Sequence, residues 1–388
     1  MTMVNHPNTR RLDFLVFSDD WGEHPSSCQH IFRHIAKDHR VIWVNTIGMR
    51  NPTLSWTDAR KVVVKISKML GRKRESVTTE KNKNITVCQP LMLPGSRSRA
   101  VRAFNARSVT RKVTAMMRDL VMTDPIVVTT VPNAADYPEL LTGPKVIYYC
   151  VDDFSLWPGL DADVVREMEA RLLARADCII AASETLAQRL STSGKPTHLL
   201  THGVDFELFS THAEAELPAL KDIPRPRVGF FGLIDGRMDW DLVAQLAKQM
   251  PDVSLVFAGP VDTSAGELPH AENMHFIGRV DYQNLPEFIS GLESLMLPYR
   301  AGMLADALAP LKLKEYLATG KQVLSTPIAE ALRWSSAVKI VYTVAEWIEA
   351  LHKVGCDVPP AERSQTMNRL ATESWRHKAN EYLRICAY

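Results

Sequence analysis

What most restricts this chain is a repeated alternation: short β-branched runs, each followed by a stretch whose apolar residues recur at helical spacing. Residues 12–17, 41–45, 85–89, 126–130, 146–150, 178–182 and 198–200 read as buried strands, with helical periodicity over 99–120, 161–176 and 184–190. A second series follows. Its strands fall at 228–231, 254–258, 275–277, 294–298, 322–325 and 339–342, with helices at 239–250, 284–291, 310–319 and 329–335. Strands apolar on both faces, each followed by a helix, predict parallel sheets covered by helices on both sides.

At 388 residues the chain is long enough for two cores rather than one. Polar, proline-rich residues 214–226 read as a linker, ending in Pro224, Arg225 and Pro226. The expected α/β architecture is two doubly wound, Rossmann-like domains facing a central cleft. The first spans 1–213 and the second 227–361, and an amphipathic helical segment, 362–388, crosses back to the first. Ligands of such sheets bind beyond the carboxyl ends of the strands.

Composition narrows the class. Hydrophobic residues at 46% and charged residues at 23% fit a globular protein, not a disordered or fibrous one. No apolar run reaches the ~20 residues of a membrane-spanning helix. Residues 1–11 lack the apolar core of a signal peptide, so a cytoplasmic location is expected. The six cysteines (Cys28, Cys88, Cys150, Cys178, Cys356 and Cys386) form no CxxC pair and read as reduced thiols. A net charge of +2 hides a basic block: residues 48–118 hold seventeen Lys and Arg against three acids. Such a block speaks to partners rather than fold. Residues 56–74 and 97–118 read as basic amphipathic helices suited to an anionic membrane interface, each cation adding about 1 kcal/mol. Nucleic acid is the competing partner, but no recognition motif accompanies the charge. No GxGxxG follows residues 12–17 or 228–231, which argues against a dinucleotide-dependent oxidoreductase.

The strongest local motif runs from Pro310 through Leu311, Lys312, Leu313, Lys314 and Glu315 to Ala318. Pro310 suits a first helical turn, whose free N–H groups and dipole attract phosphate. Lys312 adds a point charge there, and Glu315 shares its helix face at i, i+3. Four further stretches occur in order with it: 146–155 (VIYYCVDDFS), 176–183 (ADCIIAAS), 201–205 (THGVD) and 229–232 (GFFG).

Together these five stretches resemble the GT-B glycosyltransferases, particularly bacterial exopolysaccharide and teichuronic-acid-type enzymes, including xanthan-type glucuronosyltransferases. The resemblance covers most of the chain. It implies metal-independent transfer of a sugar from a nucleotide-sugar, a UDP-sugar favoured, to a glycan or lipid-linked glycan in cell-surface polysaccharide synthesis. No further cofactor and no metal are expected, since no DxD motif is placed for one. The enzyme would work in the cytoplasm, against the inner face of the plasma membrane through residues 56–118. On the donor side the resemblance implies Gly232, Arg237, Tyr299, Asp306, Pro310, Leu311, Lys312 and Glu315, with Glu315 on the ribose, Arg237 on the diphosphate and Tyr299 at the base or phosphates. Retaining members carry an acid eight residues before the equivalent of Glu315. Here Ala307 stands there beside Asp306, which leaves Asp306 as the candidate sugar contact.

On the acceptor side, Asp152 follows the strand 146–150 and matches the aspartate of the xanthan-type enzymes. Sugar transfer needs a base for the acceptor hydroxyl, and Asp152 is its candidate. Asp153 fits a turn-stabilising role as well. Asp20, Trp21, His24 and Ser26, in a long loop after the first strand, complete the acceptor side with His202. Gly203 is expected to supply a left-handed turn. Two other functions fit the same pattern: a GT-B-fold sugar-nucleotide epimerase, which turns over donor alone, and a non-catalytic membrane-surface-binding protein.

Overall fold

A computed structural model of the chain describes residues 11–22, 26–46, 83–95, 97–157, 159–211, 213–300, 311–353 and 358–387. The chain divides into two compact units, Met1–Leu200 with Ala379–Tyr388, and Thr201–Lys378.

The first unit holds seven strands: β1 (Asp13–Ser18), β2 (Arg40–Asn45), β3 (Ile85–Cys88), β4 (Ile126–Thr129), β5 (Val146–Cys150), β6 (Cys178–Ala181) and β7 (Thr197–Leu199). Every pairing is parallel, in the order β3-β2-β1-β4-β5-β6-β7. The order reverses between β1 and β4, the switch point of a doubly wound sheet. The central strands are covered on both faces, so their interiors are apolar: all five residues of β5 are buried. Among the described residues, helices α1 (Ser27–Ile35), α2 (Arg99–Asp119), α3 (Ala162–Arg175) and α4 (Glu184–Ser191) attend this sheet. Ser26, Ser98, Asp161 and Ser183 cap them, each side chain accepting an N–H of the first turn.

The second unit repeats the plan with six strands: β8 (Arg227–Phe231), β9 (Ser254–Ala258), β10 (Met274–Gly278), β11 (Ser294–Leu297), β12 (Gln322–Ser325) and β13 (Lys339–Ile340). Their order is β10-β9-β8-β11-β12-β13, all parallel, so the reversal falls between β8 and β11. The remaining helices are α5 (Phe206–Ser210), α6 (Trp240–Gln249), α7 (Leu285–Ser290), α8 (Leu311–Ala318), α9 (Ala329–Arg333), α10 (Val344–His352), α11 (Pro360–Ala371) and α12 (Trp375–Ala387). Helix α12 begins in the second unit and ends in the first.

Two expectations change. The segment 214–226 belongs to the second unit rather than linking two domains. Leu220 is fully buried there, and Glu216 accepts from Arg225 Nη2 at 2.7 Å and Arg227 Nη1 at 2.9 Å. Division of the chain falls earlier, after Leu200. Gly203 does not adopt a left-handed backbone. Its missing side chain makes room for the Trp375 indole, which would lie 2.6 Å from a Cβ at this position.

The last turns of α12 belong to the first unit. Tyr382 meets Phe32 and Tyr149 edge-on at 5.6 and 5.8 Å, and Lys145 Nζ donates to Ile385 O at 2.8 Å. The five described cysteines are all buried and free.

Candidate functional site

In the second unit, the chain leaves β8 through Gly232, whose φ of +127° favours glycine. A Cβ there would collide with the end of the Lys312 side chain. Lys312 reaches from the first turn of α8 to the β8/β11 switch point. Its Nζ lies 4.3 Å from the Phe230 ring centroid and donates to Tyr299 Oη at 2.8 Å. Lys312 forms no ion pair with a described residue. This places an ammonium among neutral partners at the carboxyl ends of parallel strands, where its charge favours an anion.

Tyr299 has a different place from the one expected. Its ring is fully enclosed, bordered by Phe230 and Arg237, so it steadies Lys312 and offers no face to a base. Arg237, expected on a diphosphate, lies against Asp235: Nε donates to both carboxylate oxygens at 2.8 and 2.9 Å, and Nη2 sits 2.5 Å from Oδ2. That carboxylate already takes the bidentate geometry a phosphate would use. Leu311 opens α8 and is half-buried. Asp306 and Pro310 lie outside the described residues.

Glu315 stands one turn beyond Lys312. Tyr282 Oη donates to its Oε1 at 2.9 Å. Burial pushes this carboxyl up to about 7, with the Asp205 charge adding to the rise, while the Tyr282 bond and Lys312 oppose it. Behind the site, Tyr316 Oη accepts from Phe231 N at 2.9 Å and donates to Phe231 O at 3.1 Å, fixing α8 to the end of β8.

Between Lys312 and Glu315 in sequence, Lys314 points the other way, into a buried network. Its Nζ donates to Glu373 Oε2 at 2.6 Å, Thr201 Oγ1 at 3.1 Å and His202 O at 2.5 Å. Lys378 Nζ lies 2.9 Å from the same Glu373 oxygen and donates to Thr201 Oγ1 at 3.2 Å. Burial alone would raise the Glu373 carboxyl, but the two ammoniums outweigh it and bring it to about 2. His202, expected to face a ligand, is buried; its enclosure and then the Lys314 and Lys378 charges take its imidazole down to about 3, so it stays neutral.

In the first unit Asp152 follows β5 as expected and is 7% exposed, with Oδ1 accepting from Asp153 N at 2.8 Å. Asp153 has the turn role: its Oδ1 accepts from Ser155 N at 3.0 Å and Ser155 Oγ at 2.6 Å, and its Oδ2 lies 3.3 Å from Arg189 Nε. Arg189 in turn grips Glu169, which accepts from Tyr148 Oη at 2.8 Å. The loop after β1 is organised by Asp19, which the sequence did not single out. Ser18 Oγ, Ser26 Oγ and Gln29 Nε2 donate to its carboxylate at 2.7, 3.0 and 2.7 Å. Burial raises the Asp19 carboxyl, and those bonds offset it only in part. Asp20 accepts from Gln29 Nε2 through its backbone carbonyl. Trp21 packs on Trp43 at 4.8 Å beneath the Arg33 guanidinium. Ser26 is spent as the α1 cap, and His24 lies outside the described residues.

The described residues contain no group of three or more His, Cys, Asp or Glu side chains that could hold a metal. No described helix is long and apolar enough to cross a membrane.

No protein-family model matches the chain. In sequence it is 28% identical over 245 residues to TuaH of Bacillus subtilis (strain 168), whose name assigns it provisionally to teichuronic acid biosynthesis as a glycosyltransferase. That match spans 58% of this chain and 60% of the relative's length. The whole structure superimposes on that of sucrose-phosphate synthase from Thermosynechococcus elongatus, with a TM-score of 0.67 at 15% identity over 97% of this chain and 98% of that one. A trehalose-6-phosphate enzyme from E. coli bound with UDP-2-fluoro glucose gives 0.64 at 12% identity, over 96% of this chain and 98% of that one. Anabaena HepE in complex with UDP-glucose gives 0.64 at 13% identity, over 97% and 100%. The fold is GT-B. Within the GT-B frame, Lys312 and Glu315 stand in the second doubly wound unit and Asp152 in the first.

Proposed function

We propose that this chain is a glycosyltransferase that moves a sugar from a UDP-sugar to a glycan or lipid-linked glycan acceptor in cell-surface polysaccharide synthesis. The observation that carries this is the Lys312 ammonium at the β8/β11 switch point, with Glu315 one helical turn away. Sequence similarity to TuaH and the likeness to the UDP-sugar-bound structures support the same reading. The diphosphate sits against Lys312 and the first turn of α8, while the ribose hydroxyls donate to Glu315. The acceptor oxygen attacks the anomeric carbon as the bond to the nucleotide breaks, and its proton passes to Asp152. Lys312 meets the charge that collects on the departing diphosphate, in a site already organised by Tyr299 and Phe230.

The protein works at the cytoplasmic face of the plasma membrane, its basic region 56–118 against anionic lipid. On α2 the residues Phe104, Arg107 and Arg111 share one helix face by spacing, and Phe104 is 41% exposed. Leu91 and Leu93, joined to α2 through Asn105, add exposed apolar surface. Residues 56–82 lie outside the described residues.

Titration with UDP followed by calorimetry and thermal shift tests the donor reading, since a true ligand stabilises by mass action. UDP should bind and raise the melting temperature, and Lys312→Ala should weaken binding about tenfold or more. A UDP affinity indifferent to Lys312 refutes it. Co-flotation with phosphatidylglycerol vesicles, lost at high salt, is the expected membrane result.

A further inference from the structure

A second charged site lies in the helical layer of the first unit. A groove of about 710 Å³ runs between α2 and α3, lined by Arg99, Arg102, Arg171 and Arg175 with Asp136 and Glu167. Its floor is an ordered ion cluster. Arg102 Nε and Nη2 donate to the two oxygens of Asp136 at 2.8 and 2.7 Å, and Arg171 Nη2 reaches the same carboxylate at 2.6 Å. Glu167 stands 4.0 Å from Arg102 and 3.7 Å from Arg171. Four guanidiniums against two carboxylates leave two positive charges unmatched. Arg99 and Arg175, both exposed, form no ion pair with a described residue.

The groove is open because the sequence keeps it open. The groove-lining residues of α2 are Arg99, Arg102, Ala103 and Ala106, spaced i, i+3, i+4, i+7, and those of α3 are Glu167, Arg171, Ala174 and Arg175, whereas the helices bury other positions, Val109 and Val113 on α2 and Val165, Met168 and Leu172 on α3. Alanines fill nothing between the arginines, so a trough remains, with a volume in the range of ligand sites. Guanidiniums fixed by the half-buried Asp136 carboxylate present their remaining N–H groups in a preset geometry, and planar forks of this kind suit carboxylates.

From this geometry we infer that the groove is a binding site for an acidic saccharide segment, carboxylate-bearing sugars laid between α2 and α3. This rests on the proposed sugar-transfer function for the choice of a glycan. A bilayer surface is the other anionic partner, but a surface cannot enter a trough, whereas a sugar chain can. The groove shares no lining residue with Lys312, Glu315 or Asp152.

The test is calorimetric titration of the full chain with tetragalacturonic acid and, in parallel, neutral cellotetraose, with UDP titrated on the same samples. The acidic tetramer should bind in a salt-sensitive way and the neutral one should not. Arg99→Ala with Arg175→Ala should weaken the acidic tetramer about tenfold or more, and Ala103→Trp, which plugs the trough, should do the same. UDP affinity should stay unchanged in both variants. Equal binding of the neutral tetramer, unaltered binding by both variants, no binding by the parent chain, or capture only of phosphatidylglycerol vesicles would each overturn the inference. The UDP titration reports separately on the donor site, so loss of that reading is distinguishable from loss of this one.

Discussion

Replacing Glu315 with glutamine should make the unliganded protein more stable and the liganded one weaker. The folded carboxyl rises from 4.5 to about 7, chiefly through burial. Because the folded value lies above the unfolded one, the contribution of this group is fully present below pH 4.5 and is lost as pH rises through 7. At 1.36 kcal/mol per unit, holding the ionised group in the fold costs up to about 3 kcal/mol. Residual contact with solvent and the retained Tyr282 bond reduce what the glutamine recovers to about 1–2 kcal/mol. That corresponds to a rise of roughly 3–6 °C in melting temperature at pH 8, vanishing near pH 4.5. The same change removes a charged acceptor for the ribose hydroxyls, worth about 1.5–3 kcal/mol, or roughly 10–100-fold in UDP affinity. For the parent protein, UDP should bind more tightly as pH climbs toward 7 and level off above it. Differential scanning fluorimetry between pH 4.5 and 8, paired with UDP calorimetry over the same range, reads both effects. A variant less stable than the parent at pH 8, or UDP affinity flat across pH 7, would refute the assignment of a strained, ligand-reading carboxylate.

Glu373→Leu should leave Lys314 and Lys378 buried without their shared counterion and cost about 3–5 kcal/mol in urea unfolding. In the parent, the Glu373 carboxyl is held to about 2, below its unfolded value, so this stabilisation is present above pH 4.5 and should fade as pH falls toward 2. Gly232→Ala forces a side chain onto a left-handed backbone and into Lys312, so a loss of about 1–3 kcal/mol in stability and a matching drop in UDP binding are expected by thermal shift. Asp152→Asn should lower kcat for transfer about 10²–10⁴-fold while leaving UDP affinity intact, measured by UDP release with and without acceptor.

Both sheets were legible in the sequence because parallel strands covered on two faces must be apolar throughout, and the runs at 146–150, 254–258 and 322–325 coincide with β5, β9 and β12. That Lys312 and Glu315 share one short helix was legible from their spacing, and α8 carries both. What escaped was tertiary. Tyr282 meets Glu315 from a turn thirty-three positions away, with nothing local to mark it. Lys314 looked like one more surface cation between two site residues, yet its partners Thr201 and Glu373 lie over fifty positions off on either side. Residues 214–226 read as a linker from their prolines, while the ion pairs of Glu216 with Arg225 and Arg227 tie them to the strand that follows. Tyr299 misled for a related reason: residue type announces an aromatic ring, but only packing says whether its face is open.

Packing of Tyr382 against Phe32 and Tyr149 has a consequence for biogenesis. Residues up to Leu200 are made before the second unit, yet the residues that cover these two rings are made after it. Until they arrive, an aromatic patch on an otherwise finished sheet stays bare, a state in which chaperones or neighbouring chains have something to hold. Loss of the last turns of α12 would therefore act as a lesion of the first unit, whose core these turns close, far from the break in sequence.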